Sequence, residues 1–249
     1  MVTTAKKANI LFTGGRSPAT LDLIRLFAKD GYNNFVAESL KSNLSGVSKY
    51  VKKNFLIPSA ALETEDFIYH LVDIIREYRI DILIPNCEEV FYISKYKEKL
   101  EKYCYVFTSS IDVLTQLHSK FQFIELLEKL DIRYPKSQLI DHRQDLIHEL
   151  KNIDKFVLKP DFSRFASQVI INDKSNEKID NIRIDEQYKW VLQEYIKGSA
   201  FCSYSVAQDG KVLASSIYPS VYFAGQGGTV HFESVNIPEI YLIIEKIVA

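Results

Sequence analysis

Apolar positions in the first 110 residues fall in short unbroken runs that alternate with longer segments of helical period. "NILFTGG" followed by "SPATLDLIRLFAKDGY" predicts a strand, a glycine turn and a helix. Pro18 suits the first helical turn, and Leu21, Ile24, Leu26, Phe27 and Ala28 supply an apolar face that Gly31 closes. "NFVAES" predicts the next strand, "EDFIYHLVDIIREYRI" an amphipathic helix and "DILIP" a buried strand. A helix from about Val90 to Lys102 and a strand at "CYVFTS" continue the series. Strands and helices in alternation predict a parallel sheet covered on both faces.

After Ser110 the pattern changes. "VLTQLHSKFQFIELLEKLDIRYPKS" reads as a helix whose exit Pro135 marks. Short strands follow at "KFVLKP", "SQVIIN", "KWVLQEYI", "FCSYSVAQDGKVLASSIYPSVYF" and "TVHFESV". Asp209 and Gly210 sit between two alternating segments and predict a hairpin turn there. A last helix is predicted at "PEIYLIIEKIVA".

With 249 residues and 47% apolar content, the chain suffices for one large domain or two of ordinary size. A formal charge of −1 gives no bulk electrostatic case for nucleic acid or an anionic membrane. Cys87, Cys104 and Cys202 are odd in number, widely spaced and without a CxxC pair, so they indicate neither a disulfide framework nor a zinc site, and a cytoplasmic setting is expected. The apolar run "NILF" is too short for a signal peptide, and no stretch approaches the roughly 20 apolar residues of a membrane span.

Three places carry candidate chemistry. In "TGGRSPAT" a dinucleotide fingerprint starting at Gly14 would need glycines where Arg16 and Ala19 stand, which argues against a nicotinamide dehydrogenase. A plain tight turn and an anion-binding helix terminus both remain open for it. Glu38 lies where a ribose-binding acid would follow the second strand, a weak signal without the glycines. "LIPNCEEVFYIS" sets Glu88 and Glu89 after a buried strand, either to hold a substrate ammonium or to open the next helix. In the second half, Lys159 ends the apolar strand "FVLKP", either as a buried ammonium that calls for an anion or as an edge lysine that snorkels to solvent. Lys120 in "LHSKFQF" and Glu194 in "VLQEYIKG" each have a dull reading as well, as a solvated helix lysine and an outward strand position.

The order of these features resembles the ATP-grasp superfamily, especially its carbamoyl-phosphate-synthetase-like members, over essentially the whole chain. The resemblance implies an α/β fold: a Rossmann-like parallel-sheet domain over residues 1–111, followed by an incomplete α+β ATP-grasp fold. Its small lid subdomain would cover residues 112–197 and the start of its large subdomain residues 198–249. It implies ATP binding by Lys120 and Lys159 on the phosphates, with Ser163, Arg164 and Ser167 on a loop folding over them. Gln193, Glu194, Tyr195 and Ile196 would belong to the ATP-binding strand beside the adenine, Glu194 accepting from its amino group and Tyr195 and Ile196 offering main-chain groups. Arg16, Glu88 and Glu89 are the candidate substrate-binding residues.

The sequence departs from the family in three respects. "PDFSRFASQ" has no glycine, so its phosphate contacts would rely on side chains. Ala200 stands near the position of a ribose-binding glutamate, while Gly225, Gly227 and Gly228 either line the site or form a turn. The magnesium ligands of full-length relatives, including a Glu-x-Asn pair, would fall beyond Ala249, so no metal ligand is assigned and this chain alone is expected to be inactive. The function expected is the ATP-binding portion of a carboxylate–amine ligase acting through an acyl phosphate, the first two thirds of such an enzyme. The alternative is a non-catalytic nucleotide- or metabolite-binding protein. Expected partners are a nucleotide, the small carboxylate and amine substrates of full-length relatives and a second copy of the chain, with no nucleic acid and no membrane.

Overall fold

Ile10, Leu11 and Phe12 are completely buried, and a strand apolar on both faces needs cover on both. In a computed structural model, which describes residues 7–164, 168–172, 176–222 and 229–249, it receives that cover. Leu11 packs with Phe67, Leu71 and Ile75 on one face, and Ile10 and Phe12 pack with Ile24 on the other. The chain divides into two units, Met1–Leu114 and Thr115–Ala249.

The first unit contains β1 (Asn9–Thr13), α1 (Pro18–Lys29), β2 (Asn33–Glu38), β3 (Val51–Leu56), α2 (Thr64–Glu77), β4 (Ile82–Ile84), α3 (Glu89–Lys95), α4 (Lys97–Leu100) and β5 (Tyr105–Val106). The five strands form one sheet in the order β3-β2-β1-β4-β5, all parallel. The order reverses between β1 and β4, so a crevice opens beside the carboxyl end of β1. Two expectations are corrected. β3 was not foreseen, because "VKKNFL" has charges where a buried strand has apolar residues; it is an edge strand and tolerates them. The helix expected from Val90 to Lys102 is broken at Tyr96, which ends α3 and precedes α4.

Close packing at the β1–α1 turn explains both glycines. Gly14 has φ +65°, and a Cβ there would lie 3.0 Å from the Asn86 carbonyl oxygen. A Cβ on Gly15 would lie 2.7 Å from Val36 Cγ1 and from Asn43 Oδ1, which already accepts the Gly46 amide. Gly15→Ala is therefore expected to cost about 1–3 kcal/mol in a urea titration. An unchanged midpoint would show that the Asn43 loop gives way.

Helix α5 (Ile111–His118) leads to α6 (Lys120–Lys129), β6 (Ser137–Ile140), α7 (Arg143–Glu149), β7 (Phe156–Pro160), β8 (Ile170–Ile171), α8 (Asn176–Asp180) and β9 (Trp190–Glu194). These are followed by β10 (Phe201–Gln208), β11 (Lys211–Pro219) and α9 (Pro238–Val248). The single helix expected around Lys120 is two: Ser119 interrupts it and caps α6 by accepting the Gln122 amide. Strands β6, β9, β7 and β8 form an antiparallel sheet in that order. One face carries Ile140, Phe156, Leu158, Ile170, Trp190 and Leu192 into a core shared with Leu146 of α7 and Ile179 of α8. Alternation sends Ser137, Val157, Lys159 and Gln193 to the other face.

The Asp209-Gly210 hairpin forms as expected, with φ of 50° and 73° at the two turn residues, and joins β10 to β11. "TVHFESV" is not a strand among the described residues. Among the described residues, Val230 N donates to Tyr222 O and Val235 N donates to Ile217 O. No described helix is long and apolar enough to cross a membrane.

Candidate functional site

The site face of the β6-β9-β7-β8 sheet is organised around two lysines. Lys159 lies near the end of β7, and its Nζ donates to Gln193 Oε1 at 2.9 Å. Lys120 is the first residue of α6, and its Nζ donates to the carbonyl oxygens of Asp161 at 2.9 Å and Ser163 at 3.2 Å. Burial lowers the pKa of Lys159 below the ordinary lysine value. Burial also lowers that of Lys120, the neighbouring Lys159 ammonium lowers it further, and Asp161 opposes both. Among the described residues neither lysine forms an ion pair, so their charges meet only neutral acceptors.

Asp161 is the acid closest in sequence to Lys159, and it is committed elsewhere. It is 6% exposed, and its carboxylate accepts from Ser119 Oγ at 2.9 Å and from Phe121 N at 2.9 Å. The two ammoniums thus lie near one another without an ion-pair partner among the described residues, with Asp161 offsetting Lys120 only in part. Such an arrangement is suited to an exogenous polyanion.

The other sequence candidates are placed as follows. Ser163 contributes its carbonyl to Lys120, while its hydroxyl lies 3.5 Å from the Pro160 carbonyl oxygen. Arg164 is exposed, and Ser167, like Gly225, Gly227 and Gly228, lies outside the described residues. Gln193 joins the lysine site, whereas the Glu194 carboxylate accepts the Lys136 amide at 2.8 Å. The Tyr195 amide donates to the Lys155 carbonyl, and the side chains of Tyr195 and Ile196 are exposed. Sequence reasoning missed Ser119, Ser137 and Asp161. The S-x-x-Q spacing of Ser119 and Gln122, a helix-start signal, pointed to the first of them. A separate cavity of about 230 Å³ is lined by Ser119, Phe121, Leu139, Asp161, Phe162 and Lys189 among others; neither Lys120 nor Lys159 lines it.

In the first unit, Arg16, Glu88 and Glu89 come together at the carboxyl end of β1 with Glu38. Arg16 Nη1 donates to Glu89 Oε1 at 2.6 Å and to Glu38 Oε2 at 3.1 Å. Arg16 Nη2 donates to Glu89 Oε2 at 3.1 Å and to Glu88 Oε2 at 3.2 Å. Glu38 also accepts the amides of Arg16, Ser39 and Leu40. Its hydrogen bond to Glu89 raises the Arg16 pKa well above an already high value, against the opposing effect of burial. The β1–α1 connection is a tight turn closed by Ser17 N donating to Gly14 O, and Glu88 and Glu89 stand at the start of α3, as the helix-opening reading has them. The anion at the start of α1 is the protein's own Glu38, and Glu88 and Glu89 bind Arg16 with no side-chain cap of α3. Three carboxylates around one guanidinium leave the cluster negative, and Glu88 is its half-exposed member.

Two sets of described side chains have metal-ligand spacing, Cys87 with Glu88 and Glu89, and Asp141 with His142 and Asp145. In the first, Arg16 already engages both glutamates. The lysine site, whose acid is tied to Ser119 and Phe121, has a donor set that does not fit a magnesium ion among the described residues.

No protein-family model and no curated protein matches the sequence. Solved structures match in fold. The L-amino acid ligase from Bacillus licheniformis superposes with a TM-score of 0.69 at 14% identity, over 98% of this chain and 61% of that one. The N5-carboxyaminoimidazole synthetase from Staphylococcus aureus complexed with ADP gives 0.70 at 11%, over 97% and 62%. The biotin carboxylase domain of Hydrogenobacter thermophilus 2-oxoglutarate carboxylase, complexed with MgADP and bicarbonate, gives 0.62 at 13%, over 85% and 50%. The chain spans about half to three fifths of the length of these structures.

Proposed function

From the premise that this chain has the ATP-grasp fold, we propose that it is the ATP-binding portion of an ATP-dependent carboxylate–amine ligase. The observation that carries this reading is the pair of half-buried lysines, Lys120 and Lys159, facing one another without a carboxylate partner among the described residues. The nucleotide phosphates are the anion for both. Ser163 and Arg164 add polar groups beside them, and residues 194–196 run along the base. In such a reaction ATP phosphorylates a carboxylate and an amine displaces the phosphate from the acyl phosphate. Lys120 and Lys159 hold the phosphate chain and offset its charge as it builds on the bridging oxygen. The negative cluster at Glu88 and Glu89 attracts an ammonium and repels a carboxylate, which makes it the locus for the amine. A non-catalytic nucleotide-binding protein is the second reading, favoured by the missing magnesium donors among the described residues.

Calorimetric titration with ATP and ADP over a series of pH values from neutral to alkaline, in buffers of different ionisation enthalpy, tests nucleotide binding. The lysine pKa values are lowered in the free protein, and bound phosphate raises them. Between the two values the complex holds more protons than the free protein, so binding takes up protons. Affinity falls as pH rises through the free-protein values. Absence of binding overturns the proposal; binding without proton uptake removes the lysines from the site. Nucleotide-dependent release of phosphate with a carboxylate and an amine separates the ligase from the second reading.

A further inference from the structure

Lys159 is held by a hydrogen-bonded chain that crosses three strands. In the sheet register Gln193 lies opposite Ser137 on one side and Val157 on the other. Lys159, two residues beyond Val157, is its diagonal neighbour on the same face, within reach of a long side chain. Gln193 Oε1 accepts from Lys159 Nζ at 2.9 Å, and Gln193 Nε2 donates to Ser137 Oγ at 2.8 Å. Ser137 Oγ in turn donates to the Pro135 carbonyl oxygen at 2.8 Å.

The donor inventory fixes the direction of this chain. A lysine ammonium only donates, so the group facing it must be the amide oxygen. The serine hydroxyl spends its one proton on Pro135, so the group facing it must be the amide NH₂. Both ends require the same orientation of Gln193, which removes the usual ambiguity of a side-chain amide. A glutamate in this place would have no proton for Ser137 and would pair with Lys159, cancelling one of the two ammoniums. An aliphatic residue would leave Lys159 without an acceptor.

We infer that Gln193 is a positioning residue: it aims the Lys159 ammonium at the bound phosphates and, because it is neutral, preserves the full positive charge of the site. The inference rests on the nucleotide reading given above, and it adds the determinant that sets selectivity for phosphorylated over unphosphorylated ligands.

The test compares ADP with adenosine, by calorimetry or NMR titration, on the whole chain and on three variants. Gln193→Glu is expected to weaken ADP about tenfold or more near pH 7.5 and to leave adenosine unchanged, since only the charge term is altered. The loss should persist down to pH 5, because pairing with Lys159 holds the introduced carboxylate below its ordinary pKa. Gln193→Met keeps the length without an acceptor; it and Ser137→Ala should weaken ADP severalfold, again sparing adenosine. A general loosening of the sheet would weaken both ligands at every pH, and that result overturns the inference, as does undiminished ADP affinity in Gln193→Glu. If the unaltered chain binds neither ligand, the nucleotide reading itself fails, a result distinct from either of these.

Discussion

Arg16→Ala is expected to destabilise the first unit by about 3 kcal/mol, the low end of the range for breaking a buried ion pair. The Glu38 side chain is fully buried, and the Arg16 guanidinium bridges it to Glu89 and Glu88. Removing the guanidinium leaves three carboxylates facing one another with no cation between them. The loss stays at the low end because Glu38 keeps the amides of residue 16, Ser39 and Leu40. Arg16→Lys should recover only part of it, since one ammonium cannot reproduce a planar fork shared among three acids. Adding Glu38→Gln to Arg16→Ala should restore part of the stability by removing the stranded charge, though the glutamine NH₂ cannot accept the backbone amide that one carboxylate oxygen accepted. Urea denaturation followed by circular dichroism measures all three, and a loss below about 0.5 kcal/mol for Arg16→Ala would mean that water already screens the cluster.

Lys159→Ala should lower ADP affinity about 10- to 100-fold, the equivalent of one charge-assisted hydrogen bond. Lys120→Ala should lower it less. Lys120 already donates to two protein carbonyls, which compete with a ligand, whereas Lys159 has a single acceptor and projects from a strand laddered on both sides. Neither variant should lose much stability, because each removes a desolvated charge along with its hydrogen bonds. Calorimetry at fixed salt checks the order. Unchanged binding by the Lys159 variant would detach the nucleotide from this face of the sheet.

The sequence made local structure legible wherever one element carried its own signal. The β1–α1 turn, the Asp209-Gly210 hairpin and the lysine at the end of "FVLKP" all follow from neighbouring residues. What it did not show depends on distance along the chain. Glu38, Glu88 and Glu89 meet Arg16 only because β2 and β4 flank β1, and no spacing in the sequence encodes that order. Asp161 reads as a loop acid after Pro160; its role is visible only when Ser119, 42 residues earlier, is beside it. Ser119 itself was masked by the apolar period on either side, which runs through the break as though one helix continued. Glu194 and Tyr195 were legible as the end of a strand, but not that Lys136 and Lys155 engage them.

Asp161 also determines what ligand binding has to accomplish. Its carboxylate fastens the start of α6 to the end of β7, and its main-chain carbonyl receives the Lys120 ammonium. The helix bearing one lysine and the strand bearing the other are therefore riveted before any ligand arrives. On the proposed nucleotide reading, an incoming phosphate chain would meet two charges already set in place, with little side-chain freedom left to be lost on binding. The repulsion between the lysines is held in place by a buried acid that offsets it only in part, through Lys120. On the nucleotide reading proposed above, a polyanion would relieve that tension, and Asp161 would be the catch that holds it until then.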